Sequence, residues 1–93
     1  MTASGRAELQ SVDNALRLLN CFSQDAQELT SAQISRRLGL SKSTTQRLLS
    51  TLESRDFIER DSGTKRYRIG LNAFRLGSLV LGKTGLGLPI QTE

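Results

Sequence analysis

From Ser11 onward, Val12, Ala15, Leu16, Leu19 and Phe22 recur at intervals of three and four, the spacing of one inward helix face. Ser11 is placed as N-cap and Asp13 in the first turn, where the helix dipole favours an anion, and the helix is predicted to end near Ser23. A second helix opens at "TSAQISRRLG": Thr30 and Gln33 have the spacing of a capping box, and Ile34 and Leu38 lie four apart on one face. Gly39 suits the left-handed position that ends it. Only "GLS" intervenes before Ser41 caps a third helix running to about Ser54, with Thr45, Leu48, Leu49 and Leu52 turned inward. Two short helices joined by a tight glycine-containing turn make a helix-turn-helix.

The pattern then changes to strand character. Phe57 to Arg60 and Lys65 to Ile69 flank "DSGT", which favours a turn, so the segment reads as a hairpin. Ile58, Tyr67 and Ile69 are expected to face the helices, with Arg60, Lys65, Arg66 and Arg68 on the rim and outer face. A further helix is predicted from Asn72 to Leu81, loosening into glycines and Pro89. Its Leu76, Leu79, Val80 and Leu81, with Leu86 and Leu88 beyond, need a partner surface, either a second subunit or a further domain. The fold class is thus mostly α with a small β-hairpin: a winged helix-turn-helix followed by a linker helix. Residues 1–8 are expected to be a mobile tail, 9–70 the domain, and 71–93 the linker helix and the start of a connection.

Length and composition narrow the function. Ninety-three residues make a modest core, and a binding module is a better expectation than an enzyme. The chain has no histidine and one cysteine, Cys21, so an internal disulfide and an ordinary zinc set are excluded; Cys21 is expected to fill core space. No apolar run is long enough for a membrane span and no leader pattern opens the chain, which predicts a cytoplasmic protein with no membrane partner. The net charge of +4 is unevenly distributed. Residues 1–35 hold two basic groups against four acidic ones, whereas residues 36–75 hold ten against four. A polyanion is therefore expected to bind the middle of the chain.

The third helix has the two faces that insertion into a major groove requires. Opposite its buried residues stand Ser43, Thr44, Gln46 and Arg47, which are expected to contact bases: glutamine can pair with adenine, arginine with guanine. Ser41, Lys42 and Ser50, with Arg60, Lys65, Arg66 and Arg68 of the wing (57–69), are expected to hold the backbone or reach the minor groove. Two other patterns are decoys. "GSLVLGKT", residues 77–84, satisfies a phosphate-loop pattern, yet helical spacing precedes it and bulky apolar residues occupy its variable positions. "SGTK" and "KTG" match two signatures of penicillin-recognising enzymes, but Ser62 falls in a turn and no Ser-Asp-Asn is present. No catalytic residue, cofactor or metal is expected.

Residues 10–71 resemble the DNA-binding domain of the IclR family of bacterial transcription regulators, through "SVDNALRLLNCFS", "LTSAQISRRLGLSKSTTQRLLSTLESRDFIERD" and "YRIGLNAFRLGSL". The resemblance implies a homodimer formed through the linker helix, a pseudo-palindromic double-stranded operator, and a small-molecule effector bound by a separate C-terminal domain, which the chain stops short of. In the family's pattern Ser43, Thr44 and Arg47 occupy positions associated with DNA contact. Asp56 departs from that pattern, standing where glycine is usual, so the turn after the third helix is expected to hold aspartate in a left-handed conformation. The alternative function is a winged-helix module that binds protein.

Overall fold

The structure is a computed structural model describing residues 8–84. In chain order it contains α1 (Gln10–Leu19), α2 (Ser31–Leu38), α3 (Lys42–Ser54), β1 (Ile58–Arg60), β2 (Tyr67–Ile69) and α4 (Leu71–Thr84). The expected architecture of a winged helix-turn-helix followed by a helix is present. Residues 1–7, expected to be a tail, and the stretch with Leu86, Leu88 and Pro89 lie outside the described residues.

α2 forms as its sequence dictates. The Thr30 hydroxyl accepts from the Gln33 amide at 3.2 Å while Gln33 Oε1 accepts from the Thr30 amide at 2.8 Å, so the capping box is closed both ways. Gly39 ends the helix at φ 71°, a conformation a side chain would strain. α3 begins at Ser41, whose hydroxyl accepts from the Thr44 amide at 3.1 Å. It ends in a Schellman turn, with the amides of Asp56 and Phe57 bonded to the carbonyls of Glu53 and Leu52. Asp56 takes the left-handed position, φ 64°, as expected of the residue replacing glycine.

α1 departs from expectation in start, end and face. It begins before Ser11: extended Leu9 gives its carbonyl to the Asp13 amide, and no side chain caps the end. It stops at Leu19, so Phe22 reaches the core from a turn rather than from the helix. Val12 and Leu16, expected inward, are 51% and 55% exposed, and the buried residues are Asn14 and Leu18. Apolar residues wrap a broad arc of this helix, and contact with α2 and α3 selected the flank that ends at Leu18. Asn14 is tolerated there because Gln10 and Arg17 donate to its Oδ1 at 3.0 and 3.2 Å. Arg17 also donates to the Leu38 carbonyl at 3.0 Å, tying α1 to the end of α2.

The core joins Leu18, Leu29, Ile34, Leu38, Leu49, Ile58 and Tyr67. Burying seven such side chains contributes of order 10 kcal/mol before conformational entropy is set against it. Cys21 packs at the edge of this cluster and burial pushes its thiol above the ordinary range, against the lowering effect of Arg37 and Arg17.

β1 and β2 are antiparallel, with Ile58 opposite Ile69, Glu59 opposite Arg68 and Arg60 opposite Tyr67. Leu29 adds a third, one-residue rung by exchanging both main-chain hydrogen bonds with Tyr67, at 2.7 and 3.0 Å. Ile58 and Tyr67 are buried as expected, but Ile69 is exposed because it lies at the open end of the ladder. The positive φ in the turn falls on Lys65, at 62°, and not on Gly63.

Gly70 joins the wing to α4 at a point of close backbone approach. A Cβ there would collide with the Asp56 carbonyl and lie 2.9 Å from the Ile58 amide nitrogen. The close approach lets Gly70 donate to the Phe57 carbonyl at 2.8 Å and Asn72 to the Asp56 carbonyl at 2.8 Å. α4 starts one residue earlier than predicted and continues past Leu81 to Thr84, so Gly77 and Gly82 lie inside the helix. The phosphate-loop reading is thereby excluded: its amides belong to helical backbone.

Candidate nucleic-acid interface

Thr45 and Leu49 anchor α3 in the core, with Leu48 and Leu52 half-buried beside them. At 100° per residue this turns Ser43, Arg47 and Ser50 outward, with Gln46 on one flank and Thr44 on the other. Ser43, Gln46, Arg47 and Ser50 are exposed, and Thr44 is half-buried. Its hydroxyl accepts from Ser41 at 3.1 Å, and the Ser41 and Ser43 hydroxyls are 3.4 Å apart. These three hydroxyls sit at the positive end of α3, where unbonded amides face solvent.

Two shallow grooves flank the face. On one side Thr44 and Arg47 border Gln10 and Ser11 of α1. On the other, Gln46 and Ser50 line a groove with Arg60, Lys65, Ser31, Glu53 and Tyr67. The sequence reading missed the last three, whose approach needs the hairpin to fold back beside α2. It also placed Arg60 on the outer face or rim. The register instead sets Arg60 opposite Tyr67, on the side of the hairpin that faces the helices.

Most of the basic residues fall into two groups; Arg36 and Arg55, which line neither groove, also have no side-chain partner among the described residues. Among the described residues, no side-chain hydrogen bond or ion pair holds Lys42, Arg47, Arg60, Lys65 or Arg66. These cations are available to an outside anion. Arg68, expected among the backbone contacts, is set apart from them. It lies on the opposite face of the hairpin, 3.1 Å from Glu59 and 3.8 Å from Glu28, where it braces the wing. Arg17, Arg37 and Arg75 likewise donate to Leu38, Cys21 and Asn72.

The wing turn is built around Asp61. Its carboxylate accepts from the Gly63 amide at 3.0 Å and the Thr64 hydroxyl at 3.1 Å. These bonds hold the carboxyl below its ordinary range, with the Gly63 amide the largest cause. Ser62 lies in this exposed turn and not on a helix, which does not fit the penicillin-enzyme signature. Among the described residues no group of histidine, cysteine or carboxylate side chains could hold a metal, and no helix is long and apolar enough to cross a membrane.

Comparison with known proteins gives a consistent result. Residues 11–62 match the model of the IclR helix-turn-helix domain. The HTH-type transcriptional regulator XynR of Escherichia coli K12 is 39% identical over 74 residues, covering 80% of this chain and 29% of that protein. The transcriptional repressor IclR of the same strain is 29% identical over 85 residues, covering 91% of the chain and 31% of that repressor. The chain thus spans about a third of the length of the curated relatives it matches. Among solved structures, an IclR family transcriptional regulator from Brucella abortus superposes with a TM-score of 0.79 at 25% identity, over 90% of this chain and 32% of that one. An Alicyclobacillus acidocaldarius regulator gives 0.73 at 35% identity, over 76% and 29%.

Proposed function

The chain belongs to the IclR family of transcriptional regulators, and from that membership we propose how its DNA-binding domain engages a duplex. α3 enters the major groove with Ser43, Thr44, Gln46 and Arg47 toward base edges. Ser41, Lys42 and Ser50 hold the flanking backbone, and Arg60, Lys65 and Arg66 of the wing neutralise phosphates. Arg68 supports the wing from behind through Glu59 and Glu28.

The observation that carries this reading is the separation of the cations. Lys42 and Arg47 of α3, and Arg60 and Lys65 in the groove beside it, are unengaged, while Arg17, Arg37, Arg68 and Arg75 are spent on carbonyls and carboxylates. Phosphate contacts fix position and carry no sequence information, so recognition falls to the four α3 side chains.

Two copies joined through α4 would present two recognition helices to a two-fold related operator, as dimeric helix-turn-helix proteins do. The regulator would act in the cytoplasm, and an effector would be bound by a part of the protein beyond this domain.

The test is selection from a random duplex library at about 0.15 M salt, where non-specific phosphate attraction is weakened. Enrichment of a two-fold symmetric motif is expected. A retained pool indistinguishable from the input would reject sequence-specific binding and favour the protein-binding alternative.

A further inference from the structure

The groove between α3 and the wing holds an arrangement that the exposed stripe of α3 does not explain. Tyr67 is only 5% exposed, and its main-chain groups are spent on Leu29. Its side chain lines the groove, and among the described residues its phenolic oxygen has no hydrogen-bond partner. The ring is held in the core while the hydroxyl stays at the surface of the groove, free to donate to a molecule outside the domain.

Ser31, the first residue of α2, lines the same groove. The capping box occupies the amides of Thr30 and Gln33, and the Ser31 and Ala32 amides at the positive helix end have no hydrogen-bond partner among the described residues. Arg60 and Lys65 supply two unengaged cations, against the single carboxylate of Glu53, so the lining is net positive. Donors from α2, β1 and β2 border one small space, and among the described residues none of their side chains is engaged with Glu53 or any other acceptor.

We propose that this groove seats one phosphodiester of bound DNA, with the Tyr67 hydroxyl and the Ser31 end of α2 as donors and Arg60 and Lys65 as counter-charges. The proposal rests on the DNA-binding reading and adds Tyr67 and Ser31 to it. A phosphate held there clamps the backbone between α2 and the wing, which fixes the depth to which α3 enters the groove. Glu53 at the rim opposes a second phosphate and so limits the seat to one.

The test compares wild type, Tyr67→Phe, Ser31→Ala and Arg60→Gln on the selected duplex and on a random duplex across a salt series. Phenylalanine keeps the core ring, so Tyr67→Phe should retain the wild-type melting temperature. It should weaken both duplexes by roughly tenfold, the typical worth of a hydrogen bond to a charged acceptor, without changing the salt slope. Ser31→Ala should weaken both by a smaller factor, and Arg60→Gln should reduce the salt slope by about 1.

If wild type binds neither duplex, the DNA-binding reading itself fails. If wild type binds and both Tyr67→Phe and Ser31→Ala bind as tightly, the seat is overturned while that reading stands.

Discussion

Asp56 and Thr45 occupy positions that their side chains do not suit, and each makes a measurable prediction. Asp56 closes the Schellman turn at φ 64°, and none of the hydrogen bonds among the described residues uses its carboxylate. Glycine adopts this conformation without a Cβ penalty, so Asp56→Gly should stabilise the domain by about 0.5–1 kcal/mol. Thermal unfolding should show a rise of roughly 2–6 °C; a lower melting temperature would mean that the carboxylate contributes to the fold. Thr45 is 1% exposed in the first turn of α3, and among the described residues its hydroxyl has no partner. Valine has nearly the same shape without the stranded oxygen, and Thr45→Val should gain about 1 kcal/mol by denaturant titration. No gain would indicate a water or a carbonyl that satisfies the hydroxyl in solution.

The wing and the recognition helix are the elements whose behaviour differs most. Because the Asp61 carboxyl is held below its ordinary value of 3.8, its bonds to Gly63 and Thr64 stabilise the turn fully above about pH 4. That contribution is lost as pH falls through the folded value. The Gly63 amide signal should therefore titrate below the usual carboxylate range, and Asp61→Asn should abolish the titration. An unmoved Gly63 signal would reject the turn geometry.

On DNA, the two elements should separate by sequence dependence. Arg47→Ala is expected to cost about 1–3 kcal/mol on the selected duplex and to relax its preference, whereas Lys65→Ala weakens all duplexes alike and lowers the salt slope by about 1. Binding assays on selected and random duplexes decide this, and equal losses for both variants would contradict the division of roles.

At the scale of the whole molecule, α4 has more apolar surface than the domain can cover. Leu71, Phe74, Leu76 and Leu79 are all exposed, and at 100° per residue they point around most of the helix rather than along one stripe. A helix apolar all round is normally buried from several sides. Its start is fixed to the body through Gly70 and through Asn72, whose side chain also donates to the Arg55 carbonyl at 3.1 Å. A partner packed on α4 would thus set the direction of the recognition helix as well. The double variant Leu76→Glu with Leu79→Glu should sediment as a monomer. It should lose affinity for a two-half-site duplex far more than for a single half-site. A monomeric wild type would remove α4 as the dimer element.

Local signals were legible wherever a residue acts on its own neighbours in the chain. The capping box at Thr30 and Gln33, the Ser41 cap, the left-handed Gly39 and Asp56, and the two-faced period of α3 depend on bonds within a few residues. These signals, with the resemblance of residues 10–71 to one family, sufficed for the fold class and for the candidate face of α3. Choices made between distant segments were not legible. Apolar period alone could not tell which flank of α1 would meet α2 and α3, so Val12 and Leu16 were read as inward and Asn14 was missed. Ten basic groups between residues 36 and 75 look alike in one dimension. Only the register of the hairpin turns Arg60 toward α3 and Arg68 toward Glu59 and Glu28. The same folding back brings Tyr67 beside Ser31, 36 positions earlier in the chain, into one groove. Which elements form is settled locally along the chain, because helices, caps and turns are closed by short-range bonds. Tertiary structure decided which charges stay free for DNA, because that depends on partners that meet only when the chain has folded.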